Sequence, residues 1–190
     1  MVRRAAKEME DGGWKGVKVE KMDAQNLTYP DDHWTHVTCS FGAMMMPEPD
    51  RFFEGAHRTL LPGGQLGFTV WKAIGWAPLI PAAVKRARPS DPLSHSPFAA
   101  WAHGWERAEF VQTLLARHGF VDVHMKEMGA TLQLPSLEFL RTKVLGRISD
   151  ELRKDWSEEE KAKWADAVDE AAREKGAVGE DGGVMLQQVA

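Results

Sequence analysis

The sequence has little of what marks a secreted, membrane-spanning or nucleic-acid-binding chain. Cys39 is its one cysteine, which excludes an internal disulfide framework and any multi-cysteine metal site, and suits a reducing compartment, the cytosol by default. Basic residues (24) do not outnumber acidic ones (28), and a formal charge of -4 provides no general basic surface for neutralising phosphates. Nucleic acid is therefore not the expected partner. No apolar run is long enough to span a bilayer. The opening residues MVRRAAKEMEDGG carry none of the 7- to 15-residue apolar stretch of a secretory signal, no internal repeat is present, and no glycine-rich phosphate-cradling motif occurs.

What the sequence does have is the composition of a globular domain. With 43% hydrophobic and 27% charged residues among 190, residues 1–190 read as a single domain able to bury a core. Residues 2 to 11 predict a short charged helix closed by Gly12-Gly13. VKVEKMDA (17–24) alternates in the manner of a strand. Trp34 to Phe41, β-branched and aromatic, predicts a buried strand. Pro47 and Pro49 open a helix whose Phe52, Phe53, Ala56 and Leu60 share a face, and Pro62-Gly63-Gly64 ends it. GQLGFTVW (64–71) predicts the next strand, residues 77 to 87 a helix, and 88 to 104 a connection too long for a plain turn. Glu106 to His118 predicts an amphipathic helix with Phe110, Leu114 and Leu115 inward, stopped by Gly119. FVDVHMKEM (120–128) again reads as a strand, Ser157 to Arg173 as a charged helix, and VMLQQVA as a short final strand. This alternation of strand and helix implies right-handed crossovers, a mostly parallel sheet and the α/β class.

Several residues carry more than one reading. Asp23 is a candidate ligand group, or only a turn-forming or capping carboxylate. Met44 to Met46 read as core filling, since methionine adapts to irregular gaps. His33 and His36 resemble half a metal pair, yet no third ligand sits at sensible spacing, and no metal site is expected. His95, Trp101, His103 and Trp105 form an aromatic and imidazole-rich group that is either a substrate wall or the packing of its loop. The charged run from Ser157 to Lys163 reads as a solvated helix face.

MDAQNLTYPDD followed by WTHVTCSFGAMMMPEPDRFFEGAHRTLLPGGQLGFTVWKAIGW resembles one stretch of the class I S-adenosylmethionine-dependent methyltransferases. In those proteins an acidic-Ala-Gln tripeptide, a fourth strand, a helix, and Leu-x-Pro-Gly-Gly before a fifth strand follow in this order. THVTCSFG with Arg58-Thr59-Leu60-Leu61-Pro62-Gly63-Gly64 and a strand ending at Trp71 is similar to fungal enzymes of this family that act on small metabolites, including those that methylate thiols.

The resemblance implies a Rossmann-like class I methyltransferase sheet lacking the first two strands, truncated at the N-terminus, with S-adenosylmethionine as cofactor. It nominates Asp23 for the adenine amine, Ala24 for a ring nitrogen and Gln25 beside them. Ser40, Phe41 and Gly42 fall at the switch point of the sheet, where ligands of doubly wound folds bind. Trp71 and Trp76 fall where substrate enters, and His95, Trp101, His103 and Trp105 are added to them as the candidate substrate wall read from the long connection itself. Methyl transfer arises largely from alignment of the reacting groups, and no catalytic base announces itself. A small metabolite with an S, N or O acceptor is the implied substrate. The alternatives are the same fold turned to a cyclisation or pericyclic reaction, or a non-catalytic partner of a full-length methyltransferase. A sheet short of its first strand leaves Trp34 to Phe41 with an open edge, so a homodimer or heteromer built on that edge is expected.

Overall fold

The computed structural model describes residues 2–91 and 104–190. Helix α1 (Val2–Asp11) is held by the i,i+4 pairs Arg4–Glu8 and Lys7–Asp11 and buries none of its residues. Its end falls where the sequence places it, at Gly12-Gly13, with Gly13 at φ 60°. The strand expected over 17–24 does not form. That segment has no ladder partner among the described residues, and a strand without a neighbour has nothing to satisfy its backbone. Local contacts hold it instead: Lys18 pairs with Glu20 at 2.5 Å, and the Tyr29 hydroxyl donates to Glu20 at 3.0 Å.

Strand β1 (Trp34–Ser40) lies parallel to β2 (Leu60–Thr69), in register Val37 to Leu66 and Cys39 to Phe68. Helix α2 (Pro49–Thr59) joins them with proline in its first turn. The expected Pro62-Gly63-Gly64 turn lies inside β2: the register shifts between Trp34–Leu60 and His36–Gln65, and Gly63 takes φ 78° to accommodate the excursion. Phe52, Phe53, Ala56 and Leu60 are all buried, as their spacing predicts. Helix α4 (Ala108–Arg117) covers the same side with Val111, Leu114 and Leu115. Gly119, at φ 83°, lets the Phe120 amide donate to the Leu115 carbonyl at 3.1 Å and close the helix.

A second core stands beside this one. Between α2 and α4 in the chain come β3 (Ala73–Ile74) and α3 (Leu79–Ala87). After α4 come β4 (Gly129–Leu134), a short helical turn α5 (Leu137–Phe139) running into a π-turn at Leu140–Val144, α6 (Gly146–Leu152), α7 (Glu158–Glu174) and β5 (Val184–Val189). Helix α7 begins in a capping box, in which Ser157 and Glu160 each bond the other's backbone amide. Strand β5 runs antiparallel between β3 and β4. Leu79, Ile80, Val84, Leu140, Leu145, Trp164, Val168 and Val184 form the interior of this half.

Two expectations change here. The strands are not mostly parallel, since among the described residues only β1 and β2 pair that way. The strand expected over 120–128 starts later: its ladder opens with reciprocal bonds between Met128 and Ala190, because pairing with β5 fixes where β4 begins. No helix among the described residues is long and apolar enough to cross a membrane.

The parallel half is tied across α2 and α4 by charge. The Asp50 carboxylate accepts from His118 Nε2 at 2.6 Å and pairs with Arg117. The His118 hydrogen bond, aided by Arg117, holds the Asp50 carboxyl below its ordinary value. A depressed carboxylate contributes stability above its unfolded pKa and loses it as pH falls through the folded one. Asp50→Asn is expected to cost about 1 kcal/mol at neutral pH, a modest figure because the carboxylate is half exposed. In thermal unfolding followed by circular dichroism, the wild type should lose stability below about pH 4 relative to the variant. Equal pH profiles for both would show that the tie contributes nothing.

Candidate functional site

At the carboxyl end of β1 the backbone does something unusual for a bulky residue: Phe41 takes φ 51°. A left-handed aromatic costs roughly 1 to 3 kcal/mol and persists only where its surroundings hold it. Here the Phe41 amide donates to both the carbonyl and the hydroxyl of Thr69, at 3.2 and 3.1 Å. Its ring stacks on Trp71, with centroids 4.0 Å apart and planes 18° from parallel. The Trp71 amide in turn points to the Met44 sulfur at 3.5 Å. Gly42 follows, where an added Cβ would lie 2.9 Å from the Cys39 sulfur and displace that thiol. Ser40, Phe41, Gly42 and Trp71 are thus brought together at one strand end.

The acidic loop reaches the same core from the side. Ala24 packs in the apolar cluster that also holds Phe41, Met46 and Trp71. Asp23 is exposed, and its Oδ1 accepts from the Gln25 amide at 2.9 Å, closing a small turn that leaves its second oxygen toward solvent. Gln25 serves the fold: its side-chain oxygen accepts from the Glu48 amide at 2.7 Å, where Glu48 caps α2. Nothing in the tripeptide itself signals this bond, because the two residues meet only through the tertiary fold. Arg58 clamps the following loop, donating to the carbonyls of Leu27 and Tyr29 at 2.6 and 2.9 Å and to Asp31 at 2.5 Å.

The aromatic group is divided. Trp76 packs against the second core rather than beside Trp71. Trp105 is a core residue, 4% exposed, with its ring against Phe53 and Phe110. Of its two readings, packing is what the structure displays. His95, Trp101 and His103 lie outside the described residues. Met44 is buried and Met46 partly so, while Met45 is exposed, so core filling holds for two of the three. His33 sits against the Tyr29 and Trp34 rings, and His36 bonds Thr35 at 3.0 Å. Between β3 and β5, Gln188 is a buried polar residue that sequence reasoning misses; its side-chain oxygen accepts from the Gly75 amide at 3.2 Å. Its place in an apolar alternating strand offers no signal of that role.

Comparison with known proteins agrees with this layout. Residues 1–68 match the family described as a methyltransferase domain. Methyltransferase ktnA of Aspergillus niger is 26% identical over 191 residues, covering 90% of this chain and 62% of that protein. The acetylaranotin bis-thiomethyltransferase of Aspergillus terreus is 26% identical over 172 residues, covering 86% and 55%. The chain therefore spans little more than half the length of these relatives. A putative methyltransferase of Bacillus halodurans shares the fold with a TM-score of 0.57 at 19% identity, over 99% of this chain and 74% of that one. The YcgJ protein of Bacillus subtilis does so with 0.53 at 12% identity, over 100% and 77%. By these matches the chain is similar to methyltransferases along most of its length, with residues 1–68 matching the methyltransferase-domain family.

Proposed function

We infer that the chain acts in methyl transfer to a small metabolite, at a sulfur, nitrogen or oxygen acceptor. The observation that carries this reading is the left-handed Phe41 stacked on Trp71 at the carboxyl end of β1. Strain of this kind, at the strand end where doubly wound folds bind ligands, is paired here with an acidic loop packed into the same core. The similarity to a thiomethyltransferase supports a thiol among the candidate acceptors.

S-adenosylmethionine, when bound, supplies a methyl group on a positively charged sulfur. The residues present fit its adenine end. Asp23 keeps one carboxylate oxygen free for the exocyclic amine, the Ala24 amide lies beside it, and Ser40, Phe41 and Gly42 line the strand end. Gln25 supports this edge through α2 rather than by contact. Trp71, with Trp76 and with His95, Trp101 and His103, is proposed for the substrate side; Trp105 belongs to the buried core. These residues act by holding and aligning, which contributes much of the barrier lowering in such transfers. Among the described residues no glycine-rich loop faces the strand end, so the methionine and ribose portions depend on backbone from another segment or another chain.

Calorimetric titration with S-adenosylmethionine and its demethylated product tests the reading. Micromolar binding is the expected result; absence of binding near millimolar would overturn it and favour the same fold turned to a non-methylating reaction, or an accessory role. Asp23→Ala should weaken binding by about ten- to a hundredfold, the effect of one hydrogen bond to a charged group of roughly 1.5 to 3 kcal/mol. Gln25→Leu is expected to lower thermal stability by about 1 kcal/mol through loss of the α2 cap. If Gln25→Leu weakens binding with unchanged stability, Gln25 touches the ligand instead.

A further inference from the structure

Two residues not yet given a role, Thr69 and Met44, hold the carboxyl ends of β1 and β2 against each other. Phe41 leaves β1 through its left-handed turn, and its amide meets both oxygens of Thr69. The bond to the Thr69 carbonyl, at 3.2 Å, continues the parallel ladder, and any residue at that position would accept it. The bond to the hydroxyl, at 3.1 Å, belongs to the side chain. An aliphatic side chain of the same shape could not make it.

The second tie replaces a ladder bond. In a regular parallel pair a residue that donates to the neighbouring strand also accepts from the residue two positions further along it, so the Phe41 carbonyl would take the Trp71 amide. The left-handed turn carries that carbonyl away, and the Trp71 amide donates instead to the Met44 sulfur at 3.5 Å. Met44 is 7% exposed and lies in the single 3-10 turn Ala43–Met45 that follows Gly42. A thioether is a weak acceptor, but its unbranched chain reaches a donor that has lost its usual partner.

The two ties cross. Phe41 is bonded to β2 two residues before Trp71, and Trp71 is bonded to the β1 side three residues after Phe41. Between them the two rings stack, with centroids 4.0 Å apart. We propose that Thr69 and Met44 are positioning residues: acting through Phe41 and Trp71, they fix the turn of the one and the angle of the other, so that the aromatic pair is set before a ligand arrives. Its bearing on the ligand rests on the methyl-transfer reading above; the cross-tie itself does not.

Thr69→Val keeps the β-branched shape and the ladder carbonyl but loses the hydroxyl acceptor, whereas Thr69→Ser keeps the acceptor. In the full chain, nuclear magnetic resonance should find the Phe41 ring protons moved upfield by the Trp71 ring current. Thr69→Val should return them toward unstacked positions. It should also weaken calorimetric binding of S-adenosylmethionine roughly two- to tenfold, the effect of one neutral hydrogen bond. Thr69→Ser should keep both at wild-type values. Met44→Leu, which conserves volume, should move the same protons the same way, and adding it to Thr69→Val should change little more, because a stack released by one tie leaves the other nothing to hold. Ring protons that stay in place in Thr69→Val, that move as far in Thr69→Ser, or whose shifts add in full in the double variant would overturn the cross-tie. Rings that move in Thr69→Val while wild-type affinity is kept would overturn the positioning role. A wild-type chain that binds no S-adenosylmethionine would overturn the methyl-transfer reading instead, and the ring shifts alone would then decide the cross-tie.

Discussion

The structure around the carboxyl end of β1 depends on one constraint: a two-strand parallel ladder that, among the described residues, helices cover on a single face. Two strands in water are marginal without an apolar face to bury, and parallel pairs in particular are normally covered on both sides. Val37, Cys39, Leu66 and Phe68 meet this need on one side only, packing with Phe53 and Ala56 of α2 and with α4. On the other side His36, Thr38, Ser40, Gln65, Gly67 and Thr69 are exposed. The position of Phe41 therefore rests on how firmly α2 and α4 are held, and the tie from Asp50, in the first turn of α2, to Arg117 and His118 does part of this.

The second core depends on the first through a short piece of chain. Strand β3 begins two residues after Trp71, and the Lys72 amide donates to the Val189 carbonyl at 2.8 Å, so β5 is docked where the parallel ladder ends. Gly75 makes that docking tight: a Cβ there would meet the Gln187 carbonyl at 2.4 Å. The close backbone approach, with Gln188 bonding the Gly75 amide, fixes the direction in which the chain leaves toward Trp76 and α3. The two tryptophans thus fall on either side of a seam between cores, although only five positions separate them.

Local signals are legible in the sequence, and pairing partners are not. Helices α1, α2, α3, α4 and α7 announce themselves through caps, proline positions and apolar spacing, and Ser157 and Gly119 mark ends by chemistry confined to a single turn. Strands 17–24 and 120–128 carry the right alternation, yet alternation specifies only what a strand would bury, and the ladder requires a neighbour. The final strand is visible, but its antiparallel place between β3 and β4 depends on pairings far apart in sequence, Gly129 with Val189 and Ala73 with Val189. For the site, Ser40, Phe41, Gly42 and Trp71 follow from their position at strand ends, whereas the left-handed backbone of Phe41 and the buried place of Trp105 arise from packing that no local pattern encodes.

The acidic loop shows how one short motif divides its roles. An ionised carboxylate offers about four acceptor sites, so the turn that Asp23 makes with the Gln25 amide occupies one of them and leaves its second oxygen available. An amide side chain is less generous: the Gln25 carbonyl is held at 2.7 Å by the Glu48 amide, and releasing it would uncap α2. Ala24 lies between them in sequence, half-buried against the same apolar cluster as Phe41 and Met46. The division follows from geometry rather than residue type. Asp23 keeps its turn with one oxygen to spare, whereas the Gln25 oxygen is committed to the helix it supports.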